Sequence, residues 1–317
     1  MIYNEDCIKG SQKHLKDESV DLGIYDPPFG ISESTFDKHY KRKKQCVLDG
    51  YVEAPDDYYT FSEDWMGEAK RILKPHGSMY IISGWTHLQH ILNAADKLDL
   101  NLVNHIIWKF NFGVATKRKY VTSHYHILYL TKSNAKPKFN TYCRFGSQEK
   151  DEQNGSLNYQ DMQDVFVINK EYNPNKTKNK NKLPDALMEK LIMYSSDEGD
   201  VVCDFFLGNF TTAIVAKKLG RNPVGFEINQ ESFEYWNDKF ESIEQGAALR
   251  DLKVVENNAP KNQGKRVTEE ELKCIICDFE EKMKCLKTKK EVMAYLCDKY
   301  GRGRFGIKNI IDKHYEK

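Results

Sequence analysis

Two hydrophobic periods alternate along the first 130 or so residues. Ser-Val-Asp-Leu-Gly-Ile-Tyr, from Ser19 to Tyr25, is a β-prone run that the two prolines of Asp26-Pro27-Pro28 stop abruptly, which places Asp26 at the carboxyl end of a strand. Trp65, Met66, Ala69, Ile72 and Leu73 then recur at helical spacing. Lys74-Pro75-His76-Gly77 predicts a turn, and Ser78-Met79-Tyr80-Ile81-Ile82 a second strand. A helix near Leu88–Leu98 and strands near Val103–Trp108 and His126–Leu130 continue the series. This β-α-β rhythm favours a mostly parallel sheet.

Periodicity fades from about 133 to 180, where Asn, Gln, Lys and Gly accumulate, so a long loop, disordered or functional, is expected there. Regularity resumes with Pro184 opening a helix that carries Leu187, Met188, Leu191 and Ile192, followed by the strand Val201–Phe206. A helix from Thr211 to Leu219 ends at Gly220, a natural C-cap, and Pro223-Val224-Gly225-Phe226-Glu227 reads as a strand closed by an acid. Past Gln245 the chain turns polar, with a linker over Asn257–Lys265. Two capping boxes, Thr268 with Glu271 and Thr288 with Glu291, then open helices in a small C-terminal piece. The expected organisation is a domain over 1–245, a linker over 246–266 and a helical accessory over 267–317.

Composition adds boundaries. With 317 residues and 40% apolar content, the chain can bury one large core and carry an appendage. The N-terminus lacks a secretory pattern and no run reaches the roughly 20 apolar residues of a membrane span. Eight scattered cysteines suit reduced thiols, so a cytoplasmic protein is expected. The net charge of +1 leaves nucleic-acid binding to local clusters.

Asp26-Pro27-Pro28-Phe29 suits chemistry on an exocyclic amine. Two acceptors, the Asp26 carboxylate and a Pro27 carbonyl held rigid by consecutive prolines, would draw both N–H bonds and free the nitrogen lone pair. Phe29 would stack on a base taken out of a duplex. A plain strand ending in an Asp-Pro turn has the same four letters. Farther on, Cys203 to Thr212 gives a strand, a one-glycine turn and a helix start, and Glu227 follows about 20 residues later, the layout of a nucleoside-binding unit. Backbone N–H groups over Leu207–Phe210 would meet a ligand carboxylate or ribose, and Glu227 would accept from ribose hydroxyls. An ordinary β-α-β crossover is the alternative.

With these segments in this order, residues 1–240 resemble the β-class amino-methyltransferases of DNA. The resemblance implies an α/β fold: a doubly wound, mostly parallel Rossmann-like methyltransferase sheet with a small helical C-terminal extension. It implies S-adenosylmethionine as cofactor. Asp6, Cys7 and Ile8 match the family's adenine-lining opening, with Glu5 in place of a glycine, and Lys182 with Pro184 matches a segment beside the methionine moiety. Asp204, Phe206, Leu207, Gly208, Asn209, Phe210, Thr211 and Thr212 match the cofactor loop, with Glu227 and Asp26 completing the site. Phe210 stands where a second loop glycine is expected, so a crowded cofactor or an altered turn is anticipated. Asp26 tilts the target toward adenine N6, with cytosine N4, an RNA amino group or an inert DNA-binding module as alternatives. Direct methyl transfer implies no metal and no nucleophilic role for Cys7 or Cys203.

The implied partners are double-stranded DNA, a cognate restriction endonuclease and a second copy of the chain. Basic clusters at Lys41-Arg42-Lys43-Lys44 and Lys117-Arg118-Lys119-Tyr120, the latter beside His124 and His126, are candidate phosphate contacts. Residues 133–180 match the target-recognition segment. Tyr300–Gly306 is expected to present arginines or to cap the C-terminal helices. Cys274 and Cys277 fall at core spacing on a predicted helix, and Cys285 and Cys297 are far apart, so no zinc site is expected.

Overall fold

The computed structural model describes residues 1–28, 55–111, 113, 117–118, 120–132, 136–140, 162–170, 182–250, 267–285 and 288–315. Contacts divide the chain into two compact units, Met1–Val254 and Val255–Lys317.

Among the described residues, unit one is built on eight strands. They are β1 (Ile2–Tyr3), β2 (Val20–Tyr25), β3 (Leu73–Ser83), β4 (Leu100–Lys109), β5 (His124–Lys132), β6 (Val165–Val167), β7 (Val201–Asp204) and β8 (Asn222–Phe226). Their order across the sheet is β1-β8-β7-β2-β3-β5-β4-β6, and β5 alone runs against its neighbours. The helices among the described residues are α1 (Cys7–His14), α2 (Tyr58–Ile72), α3 (Leu88–Lys97), α4 (Asp185–Ser195), α5 (Thr211–Lys218) and α6 (Gln230–Glu241).

Strands buried on both faces split their side chains between two cores, which is why they read as continuous apolar runs rather than alternating ones. Met79 and Ile81 of β3 face the core that Trp65, Met66 and Ala69 of α2 and Ile91 and Ala94 of α3 complete. Tyr80 and Ile82 face the opposite core, shared with Leu187, Met188, Leu191 and Ile192 of α4 and Val215 of α5. The sheet is thus doubly wound and mostly parallel, as the sequence predicts.

The middle of the sheet is fixed by β2, which pairs in parallel with β3 on one side and β7 on the other. Asp21, 4% exposed, fastens all three at the amino edge. Its two oxygens accept from the Lys74 ammonium at 2.8 Å each, and Oδ2 also accepts from the Val201 N–H at 2.9 Å. Lys74-Pro75-His76-Gly77 lies within β3 rather than outside it. Between the pairs Val20–Leu73 and Leu22–Ser78 two steps of β2 stand against five of β3, so the predicted turn survives as an irregularity of the strand.

The structure departs from expectation in two further places. β6 lies inside the stretch expected to be a loop and pairs in parallel with β4, burying Phe166. Three strand residues are too few to carry a period. Ala247–Arg250, placed at the start of the linker, forms a 3-10 turn, and the Gly246 N–H donates to the Lys217 carbonyl of α5 at 2.9 Å. The remainder of the expected linker lies outside the described residues, as does most of 133–180.

Unit two packs α7 (Glu269–Cys285), α8 (Lys289–Tyr300) and α9 (Arg304–Tyr315) around Ile275, Phe279, Val292, Leu296, Ile307 and Ile311. The capping box at Thr288 and Glu291 is complete. At α7 only the Glu271 N–H to Thr268 hydroxyl half forms, because the Glu271 carboxylate is held instead by Arg302, at 2.7 Å from each oxygen. Arg302 is buried in this pair and is not a phosphate contact. Cys274 and Cys277 are exposed, on the opposite side of α7 from Ile275, Ile276 and Phe279, which correct the expected core face.

Phe210 adopts φ 57°, ψ 21°, the left-handed conformation that a glycine would hold with less strain. Its ring is fully buried among Leu207, Ala213, Trp236 and Phe240. The turn therefore keeps a glycine-like backbone while the ring anchors α5 and α6. Phe210→Gly would relieve about 1–2 kcal/mol of left-handed strain and forfeit the about 3–5 kcal/mol associated with emptying a large aromatic site. A net loss of about 2 kcal/mol in urea unfolding is expected; a gain in stability would mean that strain outweighs packing here.

Candidate functional site

β1, β8, β7, β2 and β3 end at the same edge of the sheet, and each is followed by a polar or strained segment. β2 leads into Asp26-Pro27-Pro28, β7 into Phe205–Phe210, β8 into Glu227, β1 into the turn before Asp6, and β3 into Ser83-Gly84-Trp85. The parallel register Leu22–Val202 and Gly23–Cys203 puts Asp26 and Asp204 at neighbouring strand ends. The acid before the prolines and the glycine turn therefore converge, despite their separation in the chain. Phe29 lies outside the described residues.

Asp26 Oδ1 is completely sealed from solvent and has no hydrogen-bond partner among the described residues, although the residue as a whole keeps some surface. Burial is the main cause that pushes its pKa up to about 8; the charge of Asp204 adds to the rise and Lys170 opposes it. An uncompensated acceptor of this kind costs free energy unless a ligand satisfies it.

The β7 turn is built around two more carboxyls. Asp204, 4% exposed, accepts from the Phe206 N–H at 2.9 Å, an Asx-type turn that starts the loop, and is supported by the Thr212 hydroxyl. Burial pushes Asp204 up to about 7 against these bonds, with the charge of Glu227 adding to the rise. Glu227 is also raised by burial, while the Asn229, Gly208 and Ile228 N–H groups oppose the rise. Its Oε2 accepts from Gly208 and its Oε1 from Asn229, each at 2.8 Å, leaving each oxygen a lone pair for a further donor.

For three of the four loop N–H groups the expectation that they await a ligand is corrected by this geometry. Leu207 N–H donates to the Phe226 carbonyl, Gly208 N–H to Glu227, and Phe210 N–H to the Leu207 carbonyl. Leu207 and Asn209 are buried, as are Thr211 and Thr212 at the start of α5. The sealed ring of Phe210 is out of reach of a ligand, so the anticipated crowding does not arise. Gly225 has its own role: a Cβ there would lie 2.6 Å from the Asp204 carbonyl and 2.8 Å from Leu207, so only glycine lets β8 approach the loop this closely.

The N-terminal segment joins the same edge. Asp6 caps α1 by accepting from the Lys9 N–H at 3.0 Å. Cys7 is buried in the core that contains Cys203, Tyr25 and Phe226, and Ile8 packs on that core. Burial, with the charges of Asp6 and Asp204, pushes the Cys7 thiol up to about 12, and burial raises Cys203 as well. Both thiols are protonated near neutral pH and unsuited to nucleophilic attack. Lys182 pairs with Asp185 at 2.8 Å ahead of α4, whose Met188 sulfur meets the Thr212 hydroxyl at 3.4 Å.

Lys170, Trp108, Phe110 and Tyr125 form a group that sequence reasoning missed. The Lys170 ammonium lies 4.2 Å from the Phe110 ring and 4.4 Å from the Tyr125 ring, and the Trp108 indole donates to the Ile168 carbonyl at 2.8 Å. Lys170 lies in the stretch read as a loop, with no local pattern to mark it. The alternation of Trp108 and Phe110 is the one signal the sequence held. Among the basic candidates, Lys117 and Arg118 are exposed, as is Tyr120, while Lys41, Arg42, Lys43 and Lys119 lie outside the described residues. His126 is half-buried and within hydrogen-bond reach of His105, at 2.8 Å. Among the described residues no group of three or more metal-ligating side chains is found, and no helix is long and apolar enough to cross a membrane.

Comparison with known proteins places this arrangement. The type II methyltransferase M.HpaI of Haemophilus parainfluenzae is 31% identical over 241 residues, covering 73% of this chain and 71% of that protein. The DNA adenine methyltransferase YhdJ of Escherichia coli K12 is 31% identical over 242 residues, covering 69% and 75%. The crystal structure of the M1.HpyAVI–SAM complex shares the fold at a TM-score of 0.54 with 23% identity, covering 77% of this chain and 99% of that one. A family model described as DNA methylase, N6_N4_Mtase, matches residues 20–238. This run takes in the proline-bounded acid, the glycine turn and Glu227, and the chain belongs to that DNA methylase family.

Proposed function

We propose that this DNA methylase transfers a methyl group from S-adenosylmethionine to adenine N6 of a base extruded from double-stranded DNA, with Asp26 as the group that engages the amine. The observation that carries this reading is the unpartnered Asp26 Oδ1, on a residue that keeps some surface, beside a proline-locked backbone. One amine N–H donates to Asp26 and the other to the Pro27 carbonyl, which turns the nitrogen lone pair out of conjugation. A carboxyl with a pKa raised to about 8 is also suited to receive the proton that the amine gives up. YhdJ, named as a DNA adenine methyltransferase, supports adenine over cytosine N4.

The residues present fit the cofactor. Asp26, Asp204 and Glu227 form an acidic set whose pKa values burial raises, so their ionised forms gain from a compensating cation. A sulfonium cation with an ammonium group supplies that compensation, and Glu227 keeps lone pairs for ribose hydroxyls. S-adenosylmethionine, when bound, supplies an electrophilic methyl group. Asp6, Cys7 and Ile8 would line its base, and the Asp204–Thr212 loop would hold its remainder. Lys182 is committed to Asp185, and its role toward the methionine moiety belongs to this reading. Lys117 and Arg118 would meet DNA phosphates, and unit two would add DNA contacts through surfaces other than Arg302. A cytoplasmic setting, a partner endonuclease and a second copy belong to the same reading.

Mass spectrometry of nucleosides from DNA incubated with the enzyme and cofactor should show N6-methyladenine. Asp26→Ala should reduce it at least about 100-fold while leaving the melting temperature unchanged or raised, since a buried unpaired carboxyl is removed. N4-methylcytosine as the product would replace the adenine assignment, and full activity of the variant would remove Asp26 from the mechanism.

Linkage provides a second test. Raised pKa values mean that Asp26 and Asp204 carry protons below about 8 and about 7, and a neighbouring cation favours their ionised forms. Binding should therefore release protons, and affinity should rise as pH is raised through 7 and 8, by up to about tenfold per pH unit for each proton released. Calorimetry in buffers of different ionisation enthalpy should show this for S-adenosylmethionine and less of it for S-adenosylhomocysteine, whose sulfur is neutral. Equal pH dependence for the two would mean that the carboxyls do not face the sulfonium.

A further inference from the structure

We infer that Trp85 is a DNA-stacking residue: its indole packs against a nucleobase at the mouth of the site, where the target base leaves the duplex. The inference rests on the DNA methylase reading of this edge.

Trp85 is 70% exposed, whereas Trp65, Trp108 and Trp236 are 0%, 1% and 7% exposed. A solvent-facing tryptophan leaves the largest apolar side chain in water, and it makes no ring contact or hydrogen bond among the described residues. Its position follows from the register. β3 pairs Ile81 with Tyr25, the residue before Asp26, and Ser83 with His126 of β5. Two residues past Ser83, Trp85 emerges between the strand end that leads into Asp26-Pro27-Pro28 and the strand start at His124.

The surroundings at this edge suit nucleic acid more than a protein partner. His124 and Lys109, register partners at the ends of β5 and β4, are exposed there. The connection between them carries exposed Lys117, Arg118 and Tyr120. Cations that track phosphate beside an aromatic that can stack form the usual pairing on single-strand and unstacked-base surfaces. Extruding a base leaves its neighbours without a stacking partner, and a rim aromatic can take that place.

All four tryptophans contribute to the intrinsic emission, and Trp85 is the one exposed to solvent, so the difference between the wild-type and Trp85→Phe spectra isolates its share. The probe is a short duplex carrying a site that the wild-type enzyme methylates. Titrating it into the full-length protein should quench and shift the emission, and Trp85→Phe should remove that change. Trp85→Ala should weaken duplex binding by about tenfold or more and Trp85→Phe by no more than about threefold, because phenylalanine keeps a stacking face. Both variants should bind S-adenosylmethionine as wild type does and melt at the wild-type temperature. Unchanged emission at saturating duplex, wild-type affinity in Trp85→Ala, or a loss of self-association in place of DNA affinity would each overturn the proposal. Methylation that persists in Trp85→Ala leaves the methylase reading standing, and a wild-type enzyme that methylates no DNA would remove that reading instead.

Discussion

The site depends on one pairing, the parallel contact of β2 with β7 at the centre of the sheet. The two strands come from opposite halves of the chain. Their register, Leu22 with Val202 and Gly23 with Cys203, sets Asp26 and Asp204 at the ends of neighbouring strands. The pairing is pinned at the far end by Asp21, whose carboxylate bonds Lys74 of β3 and the Val201 N–H across 180 residues of sequence. A buried carboxylate that loses either partner is left with an unpaired charge, so this fastening is selective for one register. A slip of one residue would also exchange the two cores, since neighbouring side chains on each strand face opposite sides.

That geometry has an electrostatic consequence. Bringing strand ends together brings three carboxyls into a space with few opposing charges, and burial raises all three. The empty protein is therefore less stable near neutral pH than an equivalent with apolar groups there, and folding tolerates the arrangement because the surrounding sheet is extensively buried. The same feature selects the ligand. A cation gains most from a place where carboxyls lack partners, and an amine N–H gains most from an acceptor that nothing else has taken.

What was legible in the sequence follows from the range of the interactions involved. Asp26, Asp204 and Glu227 could be located because each closes a strand whose β-prone run and terminating turn are contiguous in the chain. Phe210 stands out in the sequence at a position where a glycine is expected, but the direction of its ring depends on Trp236 and Phe240, which arrive on α6 and leave no local trace. Arg302 reads as a free arginine between glycines, yet Glu271, 31 residues away, buries it. Lys170 and β6 were not legible because a three-residue strand has no period, and a lysine in a polar stretch is marked only by the aromatic rings it meets after folding. Charge clusters and helix faces are ambiguous for the same reason, as Cys274 and Cys277 show.

The one antiparallel strand explains how a DNA-facing surface can form at the chemical edge. In a uniformly parallel sheet, a chain leaving β4 at the carboxyl edge must cross back before starting its next strand, usually through a helix. Here β5 runs the other way, pairing Lys109 with His124 and Ser83 with His126. The described residues between Lys109 and His124, Lys117, Arg118 and Tyr120 among them, can therefore stay at the edge where Asp26 lies. Phe110 and Tyr125, beside those two strand ends, enclose Lys170, which lies late in the candidate recognition segment. One reversal of strand direction thus joins the basic connection, the aromatic group and the return of that segment to the acid they would serve, without lengthening the sheet.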